Sequence, residues 1–193
     1  MIDSSRLKVT GWLVFARIAI SFSVLVFIII LQVTRNYGPV ALILRTFVSL
    51  GLSLLYVYIL YSFRRLLHEQ YNFHGADTII PVFAWFSVAM ELIDKTSEIV
   101  AMLNPALKWY ATALRILLII IPVGIIMIMY GLRILKMGET SPQILKLYGY
   151  SLAGTGICMV SVILLPFALI LGLAMDILLG LTFFSAADAA EFV

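Results

Sequence analysis

Apolar residues run through this chain in long blocks, and short polar joints separate the blocks. A helix needs about 20 apolar residues to cross the hydrocarbon core of a bilayer, because that core is about 30 Å thick and each residue rises about 1.5 Å. Five stretches meet the requirement: residues 11–33, 40–63, 79–103, 107–135 and 147–165. The second opens just after the turn signal Gly38-Pro39. The third and fourth meet at Asn104-Pro105 and so read as a hairpin, with Pro122 expected to bend the fourth.

The last apolar block is of an awkward length. Residues 147–184 carry one charge, Asp176, and as a single straight helix would measure about 57 Å, too long for one crossing. Two crossings and a turn need about 40 residues or more. The expectation is therefore a crossing up to about Leu165, a break at Pro166, and a bent, re-entrant or interfacial helix over about 167–184. A sixth, short crossing is the alternative. The fold class read from the pattern is all-α, a polytopic transmembrane helical bundle of five spans (six possible), with residues 1–193 forming a single integral membrane domain.

Composition agrees with the pattern. Of 193 residues 63% are hydrophobic and 12% charged, against about half and about a quarter in a soluble domain. Arg6 and Lys8 precede the first span as they would in a signal peptide. That span, however, is longer than the usual apolar region, contains Arg17 and lacks a small-residue cleavage site, so it reads as retained. Basic residues beside the spans set the orientation. With the N-terminus cytoplasmic, the inner joints hold Arg6, Lys8, Arg64, Arg65, Arg133, Lys136 and Lys146, and the outer ones only Arg35, Lys95 and Lys108. The chain is thus expected to be a multi-pass protein of a cell membrane, in contact with the lipid bilayer and not with nucleic acid. Tyr56, Tyr58, Tyr61, Trp109, Tyr110, Tyr148 and Tyr150 lie near span ends, where an aromatic belt belongs. The single cysteine, Cys158, lies in an apolar run and reads as a packing residue.

Ionisable residues inside spans are costly, about 2.5–3.5 kcal/mol each at a helix centre, and so need a reason. Glu91, Asp94, Lys95 and Glu98 fall at i, i+3, i+4 and i+7 and share one face of the third helix. Counting equally from Asn104-Pro105 sets Arg115 level with Asp94, so these five residues form a candidate intramembrane charge network. Arg45 is expected to snorkel towards the headgroups. Ala168, Gly172, Asp176 and Gly180 recur every four residues as a small-residue face suited to close helix approach, either to another subunit or to the first helix through an Arg17–Asp176 pair.

The joint between the second and third spans carries His68, Glu69, His74 and Asp77, residue types that ligate zinc but at a spacing that matches no tight motif. No cofactor is expected. Neither histidine lies in a span, where bis-histidine haem ligation would need a pair. No nucleotide-binding, zinc-protease, serine-hydrolase or paired-cysteine motif is present, so the chain is not expected to be an enzyme. Two functional expectations remain. The first is a non-catalytic integral membrane subunit or scaffold that packs against other membrane proteins in a larger complex or as a homo-oligomer. The second is a small oligomeric ion or proton-coupled transporter or channel that uses the acidic stripe of the third helix.

Overall fold

A computed structural model describes residues 4–33, 39–137 and 141–191. All regular structure in these residues is helical: α1 (Ser4–Val33), α2 (Pro39–Tyr71), α3 (Ile79–Leu103), α4 (Lys108–Arg115), α5 (Ile121–Leu135), α6 (Gln143–Val160) and α7 (Leu165–Glu191). Helices α4 and α5 are one rod, joined through a π-helical turn at Ile116–Ile120. That turn is where the effect of Pro122 is absorbed. Proline lacks an N–H and crowds the carbonyl four residues back, and widening the preceding turn relieves both. The irregularity expected at Pro122 therefore lies one turn earlier, and Pro122 itself sits in the first turn of α5, where proline fits.

Each rod packs on its neighbours in sequence, and α7 returns to α1, so the six rods close into a ring. The segments Ser4–Ile30, Ile43–Tyr71, Ile116–Leu135 and Leu165–Glu191 are long and apolar enough to cross a membrane. By helix length and composition this is a multi-pass membrane protein. Its surface agrees, since Phe47 is 72% exposed and Leu169 78%, with many large apolar side chains beside them. In water such a surface would drive association, whereas lipid tails solvate it.

The end of α6 differs from expectation. The chain breaks at 161–164, not at Pro166, and Val162 adopts φ 58° there. Pro166 occupies the second position of α7, where its missing N–H costs nothing. Residues 167–184 are accordingly part of one 27-residue helix, Leu165–Glu191. The second half of this helix packs along the first half of α1: Lys8 Nζ lies 2.5 Å from Glu191 Oε1, Arg17 meets Asp176, and Gly180 faces Phe15.

Two further contacts fix which joints share an end of the ring. Arg133 Nη1 donates to the Gly75 carbonyl at 2.9 Å, and Gln70 Nε2 donates to the Ala186 carbonyl at 3.2 Å. The start of α1, the α2–α3 joint, the end of α5 and the end of α7 are therefore together. Near this end the core is aromatic, with Phe63, Phe83, Tyr130, Tyr148 and Phe183 buried in edge-to-face or tilted contacts. Tyr148 and Tyr56 thus belong to the interior and not to a belt, while Tyr58, Tyr61, Trp109, Tyr110 and Tyr150 face outward.

The tightest helix pair is α5 with α6, and glycine makes it so. A Cβ on Gly156 would lie 2.5 Å from the Gly124 carbonyl oxygen, and one on Gly131 would lie 2.6 Å from the Gly149 carbonyl oxygen. Both obstacles are backbone, which cannot swing aside.

Candidate functional site

Three helices carry polar residues one turn apart along otherwise apolar runs: Arg17 and Ser21 on α1; Arg45, Ser49 and Ser53 on α2; Ser87, Glu91 and Lys95 on α3. A four-residue interval keeps each set on one helical face. The three faces turn towards one another and, with Asp94 and Tyr56, line a cavity of about 450 Å³. Apolar residues such as Val24 and Leu52 complete the wall.

The charges in this cavity are arranged as partners. Lys95, only 6% exposed, lies with its Nζ 3.4 Å from Glu91 Oε1 and 3.8 Å from Asp94 Oδ2. Ser49 Oγ donates to Glu91 Oε1 from across the cavity. On the other side Arg17 Nη1 donates to Asp176 Oδ2 at 2.9 Å, and the Arg17 guanidinium stacks over the Tyr56 ring at 4.1 Å from its centroid. Stacking and ion pairing together hold a cation in a place where it could not be solvated by lipid.

The residues singled out from the sequence fall into place as follows. Glu91, Asp94, Lys95 and Arg17 line the cavity. The side chains of Glu98 and Arg115 lie outside the described residues, and so does any Asp94–Arg115 pair. Arg45, expected to reach for the headgroups, is among the residues that line the cavity. Ala168 and Gly180 are buried within the chain. Gly180 packs against Phe15 of α1, and Gly172 faces Thr155 of α6 with ordinary contact, 4.0 Å from an added Cβ. The four serines escaped the sequence reading, and Tyr56, expected in an aromatic belt, is part of the cavity wall. The available signal was the repetition of a four-residue polar interval in three consecutive spans.

A second cluster lies at the end of the ring where the α2–α3 joint is found. Asn72 takes a left-handed conformation, φ 47°, and closes α2 with backbone bonds from Asn72 N to His68 O and from Phe73 N to Leu67 O. The turn brings His68 Nε2 against Asp77 Oδ1, and His74 Nδ1 within 3.2 Å of Asp77 Oδ2. Arg64 Nε donates to Asp77 Oδ1 at 3.2 Å. Burial pushes the Asp77 carboxyl up, but hydrogen bonds from His68, Arg64 and His74 outweigh it and hold the group below the ordinary aspartate range. Glu69, the fourth residue of the set, accepts from Arg65 at 2.6 Å and stands apart from the cluster.

The chain matches no protein-family model, and neither a similar curated protein nor a similar solved structure is found. Functional inference therefore starts from the cavity.

Proposed function

We propose that this chain is a small ion or proton-coupled transporter or channel of a cell membrane, and that the cavity between α1, α2 and α3 is its transport site. The observation that carries the reading is a set of charged and hydroxyl side chains around a hollow within apolar helices. Charges are placed in a bilayer at a cost, and enclosing them around space for water or an ion is the arrangement expected of a permeation route. The scaffold reading drew part of its support from the small-residue face around Asp176. Part of that face is met within the chain, Gly180 by Phe15 and Asp176 by Arg17 of α1, while Gly172 has no atom nearer than 4.0 Å to an added Cβ.

The chemistry centres on Glu91. Lys95 stands between Glu91 and Asp94, and Ser49 reaches Glu91 from α2. A proton or cation that neutralises Glu91 leaves Lys95 to pair with Asp94, a second acceptor already within reach. Arrival and release then exchange ion-pair partners without stranding a charge in a poorly solvating place.

The proposed topology has six crossings with both ends cytoplasmic. It is supported by the Lys8–Glu191 pair, which places the start of α1 beside the end of α7. Arg6, Lys8, Arg64, Arg65, Arg133 and Lys146 all belong to that same end of the ring, as the positive-inside rule asks of a cytoplasmic face. Purified chain in liposomes should carry a proton or monovalent-ion flux above that of empty vesicles, and Glu91→Gln should abolish it while leaving the helix content unchanged. Flux equal to empty vesicles for protons, sodium, potassium and chloride would refute the reading.

A further inference from the structure

We infer that His68, His74 and Asp77 form a binding site for a divalent transition-metal ion of the zinc type, at the ring end where α2 turns into α3. The inference stands apart from the transport reading and uses different residues. The chain has two histidines, both in this joint, and one ring nitrogen of His68, one of His74 and an Asp77 carboxylate oxygen lie within 4.8 Å of one another. Two imidazole nitrogens and one carboxylate oxygen are a donor set that suits zinc and its neighbours, and not the all-oxygen preference of magnesium or calcium. Three protein ligands leave a fourth tetrahedral position for water, and His74 is on the exposed side where water reaches it.

Backbone bonds fix the joint that carries the three ligands. Asn72 and Phe73 bond back onto α2, Asp77 N bonds to the His74 carbonyl at 3.2 Å, and Arg133 reaches from α5 to the Gly75 carbonyl. Arg64 is the obvious competitor for the carboxylate, but it uses Oδ1, whereas Oδ2 is the oxygen nearest His74. One oxygen can ligate the ion while the other keeps its arginine, the kind of outer hydrogen bond that orients a carboxylate ligand. Without an ion, two imidazole rings stand with centroids 4.4 Å apart beside a guanidinium.

The test uses the full chain in detergent micelles, titrated with Zn²⁺ against a chromophoric chelator and separately with Co²⁺, whose visible absorption reports its ligands. One Zn²⁺ per chain is expected, with no competition from millimolar Mg²⁺. Losing even an outer partner of a metal ligand costs about 10–100-fold in affinity, so His74→Ala and His68→Ala should each weaken binding at least about tenfold and alter the Co²⁺ spectrum. His74 is exposed, so its variant remains informative even where His68→Ala fails to fold. Absence of stoichiometric Zn²⁺ binding, or binding unchanged in His74→Ala, would overturn the inference and leave the cluster as a hydrogen-bonded tether.

Discussion

Arg17 of α1 and Asp176 of α7 meet at 2.9 Å, each in the middle of an apolar run and each about four-fifths shielded from solvent. Neither charge can be left alone there. Asp176→Asn or Arg17→Gln alone is therefore expected to destabilise the protein by about 3–5 kcal/mol, with the pair of changes recovering much of the loss. Unfolding of the four proteins in mixed micelles measures this, and additive losses would mean that the two side chains do not interact.

Glycine substitutions separate backbone contact from open space. Gly156→Ala sets a methyl 2.5 Å from a carbonyl oxygen of α5 and Gly131→Ala one 2.6 Å from a carbonyl oxygen of α6, so each should cost about 1–3 kcal/mol or more. Gly172→Ala meets nothing nearer than 4.0 Å and removes a helix-interior glycine, so it should be neutral or stabilise by about 0.5–1 kcal/mol. Melting temperatures of the three variants check the order.

Long apolar helices were legible in the sequence because hydrocarbon imposes a length that few other solvents do. The break after α6 was not. It uses Val162 at positive φ, where a β-branched residue is unusual and where a reader of sequences looks for glycine or asparagine. Pro166 drew attention instead, although the start of a helix is where proline belongs. The cavity was half legible. Glu91, Asp94 and Lys95 stand out as charges in an apolar run, but Ser21, Ser49, Ser53 and Ser87 are each unremarkable until α1, α2 and α3 turn their faces together.

Topology can be read with single cysteines on a Cys158→Ser background. Ser5→Cys, Asn72→Cys and Asp188→Cys should all react with an impermeant thiol reagent from one side of the membrane, and Ala106→Cys from the other. Labelling of Asp188→Cys from the side opposite to Ser5→Cys would restore five crossings.

A permeation route between α1, α2 and α3 requires that water and ions reach that space. The most direct measurement compares Ser53→Cys, whose side chain lines the cavity, with Leu54→Cys, whose side chain faces outward on the same turn of α2. Both are made on the Cys158→Ser background and treated in liposomes with a small, charged thiol reagent. A thiol reacts as its thiolate, so reaction requires water at the sulfur. The account predicts that Ser53→Cys reacts much faster than Leu54→Cys and that the modification blocks flux. Equal inertness at both positions would contradict it.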